Sequence, residues 1–215
     1  MKIEIWSDIM CPFCYIGKRH FEKALSEMNL ADTAEIEWKS FQLDPTIPKI
    51  LEKVNVYQYL ADAKGISFAE SKQMHDNVVQ SAKNVGLIYK YDNAVVANSF
   101  DAHRMIQYAK TKELGNQIEE ALFKAYFTEG KNIGDINDLL TIGVSVGINK
   151  SDLQIVLESE QFTLEVNNDI SEAQKNGVRG VPFFVFDRKY AISGAQPISV
   201  FIETLEKVLE ESKSR

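Results

Sequence analysis

The 215-residue chain contains only two cysteines, Cys11 and Cys14, and three histidines. A structural zinc site requires four ligands, and the sequence has no second C-x-x-C pair. His20 would lie about 13 Å from Cys11 along a shared helix, which is too far for both to bind one ion. The scarcity of ligands therefore predicts no metal site.

The chain also lacks an excess of basic charge and any long hydrophobic run. Lys plus Arg number 24 against 31 Asp plus Glu, a formal charge of -7, which does not support binding to nucleic acid or to an anionic membrane. No stretch approaches the roughly 20 apolar residues of a membrane span, and the N-terminus "MKIEIWSDIM" lacks the apolar core of a signal peptide. We therefore expect a cytoplasmic protein.

The cysteine pair "CPFC" is compatible with a structural disulfide, half of a metal site or a reactive dithiol. A permanent disulfide is disfavoured in a reducing cytosol, and so short a loop would constrain the unfolded chain very little. With zinc also disfavoured, the spacing indicates a reactive dithiol.

The periodicity of apolar residues predicts a strand, a helix and a second strand at the start of the chain. "KIEIWSD" (2–8) alternates as a strand does, and Pro12 stands where prolines begin helices. The predicted helix runs to about Asn29, and "AEIEWKSFQL" (34–43) is the second strand. This order predicts a parallel βαβ unit with the cysteines at the first strand-to-helix turn.

A long helical region and a final hairpin complete the pattern. The hairpin comprises "VPFFVFD" (181–187) and "KYAISG" (189–194), joined by a tight Asp187-Arg188 turn, and a last amphipathic helix follows it. Helices are predicted over 55–64, 67–85, 99–113, 115–129, 136–147, 151–159 and 162–176. The sequence thus predicts an α/β domain of residues 1–44 and 177–215, interrupted by a helical insertion domain of residues 45–176.

This order, with C-P-x-C after the first strand and V-P at the hairpin, resembles the thioredoxin superfamily. The helical insertion resembles its DsbA-like branch, and the FrnE-like family is the most similar within that branch. The similar stretches include "SDIMCPFCYIGK", "AHRM", "LFKAYFTEGKNIGD" and "GVRGVPFFVFDRKYAISGAQP". The resemblance implies a thioredoxin-like fold, βαβ…ββα, with a large all-helical insertion.

The position of the two thiols assigns each a role in thiol-disulfide exchange. Cys11 precedes the helix that starts near Pro12, where the helix dipole and free backbone N–H groups favour a thiolate. Cys14 lies one turn further on the same face. We therefore expect Cys11 to attack disulfides and Cys14 to resolve the mixed disulfide.

Pro12 and Phe13 are expected to tune this site and contact substrate. The resemblance places Phe13 where the periplasmic oxidant DsbA carries a histidine. Phe13 cannot donate a hydrogen bond to the Cys11 thiolate, so the protein should be a weaker oxidant than DsbA.

The resemblance also implies that Pro182 follows a cis peptide bond and faces the dithiol. Val181 would then offer its backbone N–H and C=O to an extended substrate. His103 and Arg104, on an inserted helix, would supply a proton relay or an anion contact over the dithiol, unless they are simply a packed histidine and an exposed arginine.

The predicted function is that of a thiol-disulfide oxidoreductase acting on protein or glutathione disulfides, as a reductase or isomerase rather than a strong oxidant. No cofactor is expected, with glutathione as a redox partner. The alternative is a glutathione-dependent enzyme of the 2-hydroxychromene-2-carboxylate isomerase or kappa-class glutathione transferase type. Those relatives usually carry serine in place of Cys11 and lack the second cysteine. The sequence leaves the oligomeric state open.

Overall fold

A computed structural model describes residues 1–49 and 54–213 of the chain. The chain forms two compact units. The first unit comprises Met1–Leu43 and the chain from Asn167 onward, and the second comprises Asp44–Val166. In chain order the elements are β1 (Lys2–Ser7), α1 (Pro12–Glu27), β2 (Glu35–Ser40), α2 (Val56–Lys64), α3 (Phe68–Asn84), α4 (Phe100–Lys110), α5 (Gly115–Lys124), a π-helix (Ala125–Glu129), α6 (Ile136–Ser145), α7 (Lys150–Glu158), α8 (Thr163–Lys175), β3 (Phe183–Phe186), β4 (Tyr190–Ser193) and α9 (Ile198–Lys213).

The first unit is built on a four-stranded mixed sheet with the order β2-β1-β3-β4. β1 pairs in parallel with β2, as a βαβ unit requires, and antiparallel with β3, which forms the predicted hairpin with β4. The hairpin turn is formed by Asp187 and Arg188, both with positive φ. The predicted α/β, DsbA-like thioredoxin fold is confirmed.

Alternation along the strands separates the two faces of this sheet. Ile3 and Ile5 on β1 are completely buried on the face that carries Phe184 and Phe186 of β3. Aromatic rings from the two flanking helices close this face. Phe21 of α1 and Phe201 of α9 lie 5.5 and 4.9 Å, centroid to centroid, from the Phe184 ring. Large buried aromatic rings dominate the energy of such a core.

The opposite face is covered by the C-terminal part of α8. Trp6 packs against Ala173 and Val178, and its indole N–H donates to the Asp169 carbonyl at 3.0 Å. The Asp169 carboxylate accepts from the Ser40 backbone N–H at 3.0 Å.

These contacts explain why the second unit boundary falls at Val166/Asn167, inside α8. The sequence pattern gave a boundary at 176/177 instead. Periodicity identifies α8 as a helix but does not show that its second half packs on the sheet. The predicted βαβ…ββα order has no helix of the α/β domain between β2 and the hairpin. The second half of α8 is that helix.

The second unit consists of helices with polar caps. Ser67 and Glu70 form a reciprocal capping box at the start of α3, and the Asp135 side chain caps α6. In α7 the Asn149 side chain accepts from the Asp152 N–H, and the helix begins at Lys150, one residue before the predicted range 151–159. Of the described helices, none has the length and apolar character needed to cross a membrane.

Arg104 is a buried residue of this second unit, which corrects the expectation of an exposed arginine. Its guanidinium donates to the carbonyls of Val156 and Ser159 and pairs with Asp101 at 2.9 Å. Carbonyls at a helix C-terminus have no partner within the helix and favour a cation. Arg104 therefore holds the end of α7.

Candidate active site

The N-terminus of α1 positions Cys11. Cys11 is the N-cap residue, with φ −83° and ψ 110°, and Pro12 follows at the first helical position. The Cys11 N–H donates to the Asp8 carbonyl at 2.9 Å, and the Cys14 N–H donates to the Cys11 carbonyl at 3.0 Å. The first turn carries no acidic side chain. The positive end of the helix dipole therefore acts on Cys11 unopposed from that turn.

The loop before β3 forms the other side of the site. The Val181–Pro182 peptide bond is cis, as the resemblance implied, and the Val181 carbonyl accepts from Cys11 Sγ at 3.3 Å. The Pro182 carbonyl accepts from the Gly194 N–H at 2.8 Å. The structure thus brings Cys11, Val181 and Pro182 together, while their roles in substrate binding stay predictions.

Gly17 allows this loop to approach α1 closely. A Cβ atom on Gly17 would lie 3.0 Å from Pro182 Cγ and 3.4 Å from Ala195 Cα, and the first of these is closer than ordinary packing. Gly17 lies one turn beyond Cys14 and costs α1 some helix stability. Because Gly17 has no side chain, Pro182 can pack against α1 beside the dithiol.

Cys14 lies beneath Cys11 and is 1% exposed. Burial, followed by the hydrogen bond and charge of Cys11, raises the pKa of the Cys14 thiol well above its ordinary value. The Asp8 backbone and the Ser7 side chain act in the opposite direction and lower this pKa. Cys14 is therefore a protonated, protected thiol in the reduced protein.

The buried Asp8 carboxylate fixes the loop that leads into the site. One oxygen accepts from the Met10 N–H at 3.3 Å and the other from the Leu43 N–H at 2.7 Å. It therefore ties the segment before Cys11 to the segment after β2. Sequence reasoning missed Asp8 and Ser7. The one available signal was the placement of two small polar residues at the end of the first strand, three and four positions before Cys11.

Phe13 and the remaining predicted residues have different environments. Phe13, between the two cysteines, is 46% exposed, so it offers an apolar surface beside Cys11. His103 belongs to α4 in the second unit and is 1% exposed; its contact with substrate stays a prediction. Within residues 1–49 and 54–213, no group of three or more His, Cys, Asp or Glu side chains could hold a metal ion.

Fold and site together define a thioredoxin-like protein with a C-x-x-C dithiol facing a cis-proline loop. The DSBA-like thioredoxin domain model matches residues 2–206, and the chain belongs to this family.

Individual relatives resemble the chain over nearly its whole length. A probable DsbA oxidoreductase, SCO1869, from Streptomyces coelicolor is 35% identical with a TM-score of 0.93, over 98% of this chain and 91% of that one. The uncharacterized protein YwbO of Bacillus subtilis is 26% identical, over 99% of this chain and 98% of its own. The cytosolic disulfide reductase DsbM from Pseudomonas aeruginosa, solved with GSH, is 15% identical with a TM-score of 0.67, over 98% of this chain and all (100%) of that one. At that identity the likeness to DsbM concerns the fold alone.

Replacing Gly17 should slow the reaction of Cys11 while leaving the fold largely intact. In Gly17→Ala, the gain in helix propensity of up to about 1 kcal/mol offsets the contact with Pro182, so the stability change should be small. The displaced Pro182 loop should lower the rate at which the reduced protein reduces a disulfide-bonded peptide, severalfold for Gly17→Ala and about tenfold or more for Gly17→Val.

Gly115→Ala is the matched control, because its added Cβ meets only the flexible Lys110 side chain at 3.2 Å. Its rate should equal that of the wild type. An unchanged rate in Gly17→Val as well would show that the approach of Pro182 to α1 is not required.

The raised pKa of Cys14 should make the reduced protein lose stability at alkaline pH. In the unfolded chain the Cys14 thiol has its ordinary pKa of 9.0. In the folded protein this pKa is higher, so Cys14 keeps its proton to a higher pH. Raising the pH above about 9 therefore favours unfolding, by at most about 1.4 kcal/mol per pH unit for one proton.

Urea unfolding of the reduced protein between about pH 8 and pH 10 measures this loss. Cys14→Ser removes the titrating group, so the free energy of unfolding should fall less steeply in this variant. Parallel curves for the two proteins would contradict the raised pKa.

Proposed function

We propose that this protein is a thiol-disulfide oxidoreductase that exchanges electrons between its CPFC dithiol and protein or glutathione disulfides. The observation that carries the proposal is the arrangement of the two thiols. Cys11 Sγ lies at a helix N-terminus, 3.3 Å from the Val181 carbonyl, and Cys14 is buried one turn behind it. This arrangement separates an attacking thiol from a resolving thiol.

In the first step the Cys11 thiolate attacks one sulfur of a substrate disulfide. A bond forms between Cys11 and that sulfur, and the other substrate sulfur leaves as a thiolate and takes up a proton. Cys14 then attacks Cys11 Sγ, forms the Cys11–Cys14 disulfide and releases the second substrate thiol. The substrate disulfide is reduced by two electrons and the protein dithiol is oxidised.

The Val181–Pro182 loop is the proposed binding site for the segment that flanks the substrate disulfide. An extended peptide beside this loop would pair with the Val181 backbone, in the manner of an added strand. Pro12 and the half-exposed Phe13 would contact its side chains. The short backbone of glutathione suits the same surface, and the likeness of the fold to DsbM, solved with GSH, supports glutathione as a redox partner.

We assign the direction of electron flow to reduction or isomerisation, in the cytoplasm that the sequence analysis expects. Phe13 offers no hydrogen bond to the Cys11 thiolate, so nothing at this position stabilises the reduced form. A poorly stabilised reduced form gives a weaker oxidant.

Cys14→Ser should trap substrates on Cys11, because the mixed disulfide can no longer be resolved. We expect a ladder of protein adducts when lysate from cells that express this variant is separated without reducing agent. Mass spectrometry of the Cys11 peptide then identifies the adducts, and Cys11→Ser should form none.

Glutathione alone on Cys11, with no protein adduct, would contradict action on protein disulfides. It would favour the glutathione-dependent isomerase or transferase of small molecules that the sequence left as the alternative. Absence of any adduct would contradict both functions.

A further inference from the structure

The β4–α9 loop, residues 194–197, supports the segment that faces Cys11 but contains no buried residue of its own. Its Gly194 N–H donates to the Pro182 carbonyl at 2.8 Å. Because the loop buries no apolar side chain, the hydrophobic effect contributes little to its position. Polar contacts and the close approach of its backbone to α1 therefore decide where the loop lies.

His20 of α1 supplies one of these polar contacts. Its ring nitrogen Nδ1 lies 2.8 Å from the Gln196 carbonyl oxygen. A carbonyl oxygen only accepts hydrogen bonds, so Nδ1 carries the hydrogen and donates it. His20 stands three residues after Gly17, on the same side of α1, and a Cβ atom on Gly17 would lie 3.4 Å from Ala195 Cα. The loop is therefore attached to α1 at two neighbouring points.

A chain of three hydrogen bonds connects His20 to the Val181–Pro182 loop. His20 donates to the Gln196 carbonyl, and the Gln196 N–H donates to the Gly194 carbonyl at 2.9 Å. The Gly194 N–H then donates to the Pro182 carbonyl. A shift of the β4–α9 loop away from α1 would therefore move the segment that carries Pro182.

We propose that His20 is a positioning residue, which holds the Val181–Pro182 loop in place for peptide substrates through the β4–α9 loop. This inference rests on the proposed oxidoreductase function, in which an extended peptide pairs with the Val181 backbone. A small displacement of that backbone weakens the pairing, because hydrogen bonds depend steeply on distance and angle. His20 thus favours peptide disulfides over disulfides that have no peptide groups.

The backbone of Cys11 is fixed by α1 and the segment before it rather than by the β4–α9 loop. Cys11 is the N-cap of α1, and its N–H donates to the Asp8 carbonyl at 2.9 Å. Loss of the His20 contact should therefore weaken the reaction with a peptide more than the reactivity of the Cys11 thiol. Two disulfides, one with and one without peptide groups, separate these effects.

His20→Leu and His20→Asn form the test pair, because their side chains have nearly the same shape and only asparagine has a donor, at the position of Nδ1. His20 is partly exposed, so both variants should fold. Below saturation, reduced His20→Leu should reduce a disulfide-bonded peptide about fivefold more slowly than wild type, as expected for loss of one ordinary hydrogen bond. Its reaction with dithiobis-nitrobenzoate, which has no peptide groups, should change by less than about twofold.

His20→Asn should restore the rate with the peptide to within about twofold of wild type. Leucine is a better helix former than asparagine. Rescue by asparagine therefore cannot come from a more stable α1 and points to the hydrogen bond.

Lys23→Leu and Lys23→Asn are the matched controls on the same helix. Lys23 is exposed and pairs with Glu27 at 3.4 Å. This ion pair lies within α1, so the two substitutions test the effect of helix propensity alone. Both disulfides should react at the wild-type rate in both controls.

A double substitution tests whether His20 and Gly17 act through the same loops. The added Cβ of Gly17→Ala would meet Pro182 and Ala195, and His20→Leu would release the loop that contains Ala195. The loss of rate with the peptide should therefore be smaller in the double variant than the product of the two single losses. Losses that multiply would contradict the positioning role.

Equal rates with the peptide in wild type and His20→Leu would overturn the role of His20 and leave the proposed function standing. An equal loss in His20→Leu and His20→Asn, or an equal loss with both disulfides, would overturn it as well. A wild type that reacts with dithiobis-nitrobenzoate but reduces no peptide disulfide would instead contradict the proposed action on protein disulfides.

Discussion

The close approach of the cis-proline loop to the first two turns of α1 is the constraint on which the site depends. The Val181 carbonyl can accept from Cys11 Sγ only because Pro182 lies against α1 at a position without a side chain, Gly17. The sheet fixes both partners, since β1 leads into α1 and its antiparallel neighbour β3 follows the loop. Cys11 is therefore positioned by two strands that are far apart in sequence but adjacent in the sheet.

The same arrangement gives the two thiols, both of which are buried, different neighbours. Cys11 caps the helix and faces the loop, whereas Cys14 is enclosed by the end of β1 and the segment that follows it. Burial and the neighbouring Cys11 raise the pKa of Cys14, whereas the Ser7 side chain and the Asp8 backbone lower it. The two thiols are therefore not equivalent, and the proposed division into an attacking and a resolving thiol requires this difference.

Much of the fold could be predicted from the sequence because its signals are local. Alternation of apolar residues marked β1 and β2, Pro12 marked the start of α1, and the Asp187-Arg188 turn marked the hairpin. The C-P-x-C and V-P motifs together indicated the family, which neither motif does alone. These features depend on residues close to one another in the chain.

The remainder depends on contacts between distant segments, which a single sequence does not show. Periodicity identified α8 but not that Asp169 and Ala173 bind it to the sheet. From the sequence alone, Gly17 is only a residue that lowers helix stability. Its contact with Pro182 becomes visible only in the structure. The sequence suggests that Arg104 is an exposed charge. In the structure it is buried and donates to carbonyls at the C-terminal end of α7.

The midpoint potential of the Cys11–Cys14 pair tests the central claim most directly. The protein would be equilibrated with mixtures of reduced and oxidised glutathione, quenched by alkylation and analysed by mass spectrometry. The account predicts one reversible two-electron transition between dithiol and disulfide, at a potential more negative than the about −120 mV of DsbA. A potential as oxidising as that value would contradict the assignment as a reductase or isomerase. Failure to form the Cys11–Cys14 disulfide at any ratio would contradict the dithiol mechanism itself.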